Sequence, residues 1–192
     1  MTRSDHDELE IVASGSWWMN PRVRRIQNAI IELIESSRES LIMTMSYVYY
    51  GEESASRVWA ALEGAAKRGV SVYVICNIPS VNNRHGESQT MGSTSAYNEL
   101  KRLASENPGS FAVRQFSGYS QAGNDGTPIL HAKLVASDPG RDGASAIISS
   151  ANQSDAAYLR NLEMGVQFSG PKVEEVKSMF FSLWSSSECE RI

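Results

Sequence analysis

HAKLVASDPGRDGASAIISSANQSDAAYLRNLEMGVQF, residues 131–168, decides the fold. Three strand-like runs follow one another closely here: Ile129 to Ser137, Ala144 to Ala151, and Asn161 to Phe168. Between the first two stands Asp138-Pro139-Gly140-Arg141-Asp142-Gly143, a turn composition. Alternate residues of a strand share a face. His131 and Lys133 thus fall together on the first run, Ser150 and Asn152 on the second if it stays extended, and Asn161 and Glu163 on the third. Leu162, Met164, Val166 and Phe168 form an apolar stripe opposite the last pair. Each strand gives two positions to polar side chains where β-propensity favours Val or Ile. Three such pairs on consecutive strands predict one polar patch against a buried sheet.

Upstream, Ser40 to Tyr47 reads as a short buried strand, Ser54 to Arg68 as a helix ended by Gly69, and Val70 to Ile75 as a β-branched strand. This β-α-β succession predicts a parallel pair. Asn20-Pro21 is a helix start, with Val23, Ile26, Ala29, Ile30, Leu33 and Ile34 recurring behind it at helical spacing. Asn77 to Thr94 reads as a long polar loop. A helix over Ser95 to Ala104, a strand over Phe111 to Phe116 and a second loop over Ser117 to Thr127 follow it. Pro171 opens a last helix with Val173, Val176, Phe180 and Leu183 on its apolar side. With no repeat and no linker, the expectation is one α/β domain over residues 11–187, a mixed, mostly parallel β-sheet flanked by helices on both faces.

Composition sets the outer limits. A chain of 192 residues with 41% apolar and 21% charged residues is globular rather than disordered. Leu41 to Tyr50, its longest nearly uncharged apolar stretch, is about half of a bilayer span. Residues 1–10 are acidic and polar, unlike a signal peptide. Two cysteines, Cys76 and Cys189, give neither a disulfide framework nor metal-ligand spacing, so a reducing cytoplasm is expected and Cys76 reads as buried and inert. The net charge of −4 sits in two segments read as tails, 1–10 (−3) and 188–192 (−1), while residues 11–187 balance 16 basic against 16 acidic side chains. Bulk charge therefore does not decide the partner.

The polar pairs suggest phosphoryl transfer. Histidine is a nucleophile at neutral pH, lysine supplies fixed charge for phosphate oxygens, and Asn152 and Ser150 supply neutral donors. Glu163 could accept an imidazole N–H and fix its tautomer. No second histidine, cysteine pair or carboxylate cluster stands nearby in sequence, so neither metal nor cofactor is expected.

His131-Ala-Lys133 with Asp138 fits the H-x-K-x4-D motif of the phospholipase D superfamily. Ser149-Ser150-Ala151-Asn152 resembles that family's G-S-x-N, with Ser149 where glycine is usual, and Asn161-Leu162-Glu163 resembles its N-x-E. Ala60 to Ile75 is similar to the family's N-terminal half, so the resemblance covers nearly the whole chain. It implies catalysis by His131, with Lys133, Asn152 and Ser150 on the substrate's non-bridging oxygens and Glu163 orienting His131. Asp138 comes seven residues after His131, where the strand ends, and is assigned to turn structure. Enzymes of this superfamily use two motifs, whereas this chain has one, since His6 lies in the acidic N-terminus and His85 lacks a lysine two residues on. The resemblance therefore implies a homodimer with a shared active site, as in bacterial single-motif nucleases.

A nucleic acid is the favoured substrate, DNA or RNA. A phospholipase or phosphatidyl transferase is the alternative; it calls for an apolar rim or an amphipathic surface helix, and none is read in the sequence. A third reading is a non-catalytic nucleic-acid-binding or scaffold subunit of a defence or restriction assembly. Arg84 and His85 read as solvated loop residues. Trp17-Trp18 reads as an anchor over the sheet or dimer seam, with base stacking as its alternative. Tyr47, Tyr49 and Tyr50 border a cleft or pack in the core.

Overall fold

The computed structural model describes residues 9–15, 22–46, 50–51, 53–77, 89–116 and 130–192, with residues 89–93 as backbone alone. His6, Asn20-Pro21, Trp17-Trp18, Tyr47, Tyr49, Arg84, His85 and the 117–127 loop lie outside the described residues. In chain order the elements are β1 (Leu9–Ser14), β2 (Arg24–Arg25), α1 (Ile26–Ser36), β3 (Ser40–Met45), α2 (Glu53–Lys67), β4 (Ser71–Cys76), α3 (Gln89–Glu106), β5 (Phe111–Phe116), β6 (Leu134–Ser137), β7 (Ser145–Ser149), β8 (Glu163–Ser169), α4 (Lys172–Trp184) and β9 (Cys189–Arg191). A π-helical turn, Ala156–Arg160, lies between β7 and β8.

All the strands join one sheet in the order β2-β1-β8-β7-β6-β3-β4-β5-β9. Its two faces bury different sets of side chains. Ile26, Ala29, Ile30, Leu33 and Ile34 recur along α1 at i, i+3, i+4, i+7 and i+8, which gives one continuous apolar stripe. That stripe packs with α2 and α3 against Val12, Met43, Val74, Val135 and Ile147. On the opposite face, α4 lays Val173 and Phe180 over Ile42, Ile75, Ala136 and Ala146. Helices on both faces of a mixed sheet agree with the sequence reading.

Three parts of that reading are corrected. The sheet is not mostly parallel: β1–β2, β3–β4 and β4–β5 pair parallel, while β1–β8, β3–β6, β5–β9, β6–β7 and β7–β8 pair antiparallel. The short turn between β6 and β7 permits only an antiparallel pair, and both chain ends add antiparallel pairings of their own. Neither acidic segment is wholly a tail. Leu9 and Glu10 open β1, and Cys189–Arg191 pairs with Arg114–Phe116 of β5 as an edge strand whose Cys189 is buried. Charged Glu190 and Arg191 are what a short edge strand carries, and the same charges make it read as a tail.

The third correction concerns element ends. Helix α1 starts at Ile26 because Arg24 and Arg25 pair with Val12 and Ala13 of β1. Arg24 fixes that junction through ion pairs to Glu10 (3.1 Å) and Glu32 (3.0 Å). Strand β3 ends at Met45 rather than Tyr47, and α3 begins at Gln89, inside the stretch read as loop. The strand expected over 129–137 starts only at Leu134, the one over 144–151 spans Ser145–Ser149, and the one over 161–168 starts at Glu163.

Asp138 follows β6 in the left-handed region, φ 47°, which Asp tolerates better than most residues. Its carboxylate accepts the backbone N–H groups of Arg38 (3.0 Å), Glu39 (2.8 Å) and Ser40 (2.9 Å). One ionised side chain thus satisfies the chain entering β3. Asp138→Ala should cost about 2–3 kcal/mol, since hydrogen bonds to a charged group are worth more than neutral ones. For a chain of this length that lowers Tm by roughly 4–12 °C in a thermal melt, with turnover per folded molecule unchanged. Activity lost without a fall in Tm would place the carboxylate in the chemistry instead.

Candidate active site

The register brings the carriers of the polar pairs to one end of the sheet. Ser14 at the end of β1 faces Glu163 at the start of β8, Ser149 at the end of β7 faces Gly165, and Leu134 at the start of β6 faces Ile148 on one side and Thr44 of β3 on the other. His131 and Lys133 lie just before β6, not within it. Pairing stops because Thr44 intervenes with its side chain: its hydroxyl accepts the Leu134 N–H (3.0 Å) and donates to the Ala132 carbonyl (2.9 Å). The Lys133 carbonyl is still held by the Ser149 N–H at 3.1 Å.

This arrangement separates the two motif residues by exposure. His131 stands at the surface, while Lys133 is 6% exposed. The Lys133 ammonium donates to the His131 carbonyl at 2.8 Å. Burial holds its pKa below the ordinary lysine value, and the nearby Glu163 carboxylate opposes that shift. A buried ammonium that spends one of its three protons on a backbone carbonyl keeps donors for an anion.

Glu163 is also buried, and its neighbours define its position. The Ser150 hydroxyl donates to the carboxylate, and the Asn161 amide donates from the other side at 3.3 Å. Ser150 is itself fixed by β8, its oxygen accepting the Met164 N–H at 3.2 Å and its own N–H donating to the Met164 carbonyl at 3.0 Å. Gly165 makes this close approach possible. A Cβ there would sit 2.7 Å from the Ser149 Cβ and 2.8 Å from the Ile148 carbonyl oxygen. Two residues after Ser150, Asn152 is half-buried, and its Oδ1 is buried with no hydrogen-bond partner. An orphaned buried acceptor is costly, on the order of 1–3 kcal/mol, and needs a donor; only the NH2 of this amide can donate to an anion.

The segment after Asn152 is anchored on three sides. Tyr158, fully buried, donates its hydroxyl to Gln153, and Ser14 donates to the Ala157 carbonyl at 2.6 Å. The Asp155 carboxylate accepts the Ser54 N–H (2.9 Å) and hydroxyl, and so caps the start of α2. Burial raises the Asp155 pKa, but the bonds from Ser54 and Ala55 outweigh it and hold the group below its ordinary range. Sequence reasoning missed Thr44, Asp155 and Gly165 as supports. A threonine in the apolar run SLIMTM was the available signal for the first; nothing local marked the other two.

The apolar stripe Leu162-Met164-Val166-Phe168 joins the core only at Phe168, which packs against the cluster under α4. Leu162 and Met164 are 58% and 54% exposed, and Ile148 and Ile11 beside them are 49% and 44% exposed. An apolar rim, which the sequence reading did not find, is therefore present next to the site. Tyr50 is partly exposed and meets Trp59 edge-on, centroids 5.5 Å apart. Cys76 and Cys189 are free and buried, and burial pushes the Cys76 thiol up to about 12. Among the described residues, no group of three or more His, Cys, Asp or Glu side chains is placed to hold a metal ion. No helix among them is long and apolar enough to cross a membrane.

Residues 30–184 match the family model described as cardiolipin synthase, PLD-like domain. None of the curated proteins matches the chain in sequence. Among solved structures, the fold resembles Nuc, a phospholipase D family member from Salmonella typhimurium (TM-score 0.68, 19% identity), over 97% of this chain and 99% of that one. NucT from Helicobacter pylori gives a TM-score of 0.65 at 19% identity over 97% and 100% of the two chains. Phosphatidylserine synthase from Haemophilus influenzae gives 0.69 at 12% identity, with 98% of this chain covering 40% of that one. At such identities the likeness is one of fold.

Proposed function

Because the chain belongs to the phospholipase D-like family, we propose that it is a phosphodiester hydrolase, a nuclease whose site is completed by a second copy of itself. The observation that carries this reading is the exposed His131 beside the buried Lys133, which Glu163 faces electrostatically at the same sheet end. A nucleophile there is open to a polymer, and the charge that receives phosphate oxygens is held at low dielectric, where it acts most strongly.

In the proposed reaction His131 attacks phosphorus and forms a P–N bond as the P–O bond to the leaving group breaks. The partner subunit's His131 gives its proton to the departing oxygen. It then takes a proton from water, which attacks the phosphohistidine, breaks the P–N bond and frees His131. Lys133 and the Asn152 amide hold the non-bridging oxygens. Ser150, with its hydroxyl committed to Glu163, supports that carboxylate rather than the substrate. Glu163 acts as a positioning residue for the motif, and Asp138 stays structural. The charges on the developing phosphorane are met by protein groups, so the reaction should proceed in EDTA.

Nucleic acid is favoured because the site opens at the surface and the chain has the full length of the Nuc and NucT chains. The family description and the synthase fold-mate, together with the apolar rim, favour lipid phosphodiesters as the second reading. Plasmid, single-stranded DNA, RNA and phosphatidylcholine, each incubated in EDTA, separate the two. Nucleic-acid cleavage is the expected result. Lipid turnover alone would replace the proposal with the second reading, inertness on all four substrates would favour a scaffold subunit, and activity restored only by added divalent ion would contradict the mechanism.

A further inference from the structure

We infer that the start of α2 carries a track for single-stranded nucleic acid, on which Tyr50 stacks one base and Arg160 meets one phosphate. The inference rests on the nuclease reading above and narrows its substrate. Tyr50 lies in the connection from β3 to α2. That connection leaves β3 at the sheet end where Thr44 holds Ala132 and Leu134, the chain neighbours of His131 and Lys133. Helix α2 packs on the side of the sheet from which Glu163 projects. Glu163 and Gly165 alternate with Met164 and pair with Ser14 and Val12, and Val12 belongs to the core under α1, α2 and α3. The Asp155 carboxylate, three residues after Asn152, caps α2 at Ser54, four residues after Tyr50. Tyr50 and Asn152 are therefore tied to the same helix start.

Local structure presents the ring. Gly51 adopts φ 94°, which residues with a Cβ rarely take, and turns the chain immediately after Tyr50. The ring meets Trp59 edge-on, and Trp59 is buried in one core cluster with Ala55, Val58, Ala151 and Ala157. Tyr50 nevertheless keeps 41% of its surface in solvent. A lone exposed aromatic needs no explanation. One braced on a core tryptophan beside a candidate phosphodiester site is different, because its ring is already ordered and a base can stack there at little further entropic cost. Arg160 supplies the charge. It closes the π-helical turn after Asn152, is exposed, and has no ion-pair partner among the described residues. Its charge acts on the Asp155 carboxylate, which places it near the α2 start as well. An aromatic and a free cation side by side are the parts of a single-strand track, and a base reaches such a ring only when it is unpaired.

Two readouts in EDTA test this. Fluorescence anisotropy of a labelled single-stranded oligonucleotide on His131→Ala chains gives Kd without cleavage, and cleavage by chains that keep His131 gives KM and kcat. Tyr50→Leu keeps an apolar side chain against Trp59 but removes the ring. It should raise Kd and KM on the single strand about tenfold with kcat unchanged, while Tyr50→Phe matches wild type and duplex DNA is insensitive. Arg160→Gln should lower the slope of log Kd against log salt by about 0.7, the mark of one phosphate contact to a single strand. With wild-type chain, one abasic residue in the oligonucleotide should slow cleavage about tenfold at a single bond a fixed distance away, and Tyr50→Leu should abolish that selectivity. The wild-type ladder decides even if Tyr50→Leu fails to fold. Unchanged Kd and KM in Tyr50→Leu, an equal loss on duplex, or a ladder indifferent to the abasic residue overturns the inference and leaves the nuclease reading intact. A wild type that cleaves no nucleic acid but binds the single strand through Tyr50 keeps the track and removes the nuclease reading. A chain that neither binds nor cleaves the single strand overturns both.

Discussion

His131→Ala will yield a folded protein whose phosphodiester turnover is lower by at least about 10⁴-fold, because in the proposed mechanism one substitution removes the nucleophile from one side of a shared site and the proton donor from the other. The side chain is at the surface and contributes little packing, so Tm should hold within a degree or two. Mixing supplies a sharper measurement. When wild-type and His131→Ala chains are co-expressed in equal amounts and assort at random, only about one dimer in four carries both imidazoles. Activity per chain should then fall to about a quarter, whereas chains acting alone would give a half. A half-activity result would remove the two-subunit mechanism even if the single variant were dead. Paired imidazoles of opposite duty also predict a bell-shaped pH–rate profile, and a single sigmoid would count against the pair.

Lys133→Met should lose activity without losing stability. Deleting a preorganised cation from a transition state that gathers phosphate charge costs about 10²–10³ in kcat. The ammonium is nearly buried, and methionine fills similar volume without its desolvation cost, so Tm should be unchanged or higher. The direction of its pKa adds a pH test. A lysine whose folded pKa lies below its unfolded value sheds its proton earlier as pH rises, so catalysis should fail on the alkaline side before an ordinary lysine would titrate. The same shift means that the proton binds more weakly in the folded state. This group's contribution therefore favours unfolding in full at pH below its folded pKa, fades as pH rises above that point and is gone only past the ordinary lysine value, a dependence that Lys133→Met should lack. A Tm several degrees lower in Lys133→Met would show a structural lysine, and unchanged kcat would remove it from the reaction.

The strands β6, β7 and β8 were legible from their alternation and from the turn between the first two. His131 and Lys133 lie just before β6 rather than within it, the first exposed and the second buried. What sequence could not supply was the agent that ends the pairing, since Thr44 is 87 residues from His131 and acts by a side-chain bond that no local pattern encodes. Strand direction failed for a related reason. The β-α-β unit around α2 announces its parallel pair, but Leu9–Ser14 and Cys189–Arg191 find partners far away in sequence. The stripe through Leu162, Met164 and Val166 was legible as apolar but not as exposed, because core and exposed apolar surface share one composition and differ only in what covers them.

The sheet order has a bearing on synthesis. Strand β8, which carries Glu163, is bracketed by β7, its neighbour in the chain, and by β1, whose Leu9 pairs with Phe168. Closing so long a loop is the slow part of folding a chain like this. A nascent polypeptide still on the ribosome therefore lacks the assembled candidate site until nearly all of it has been translated.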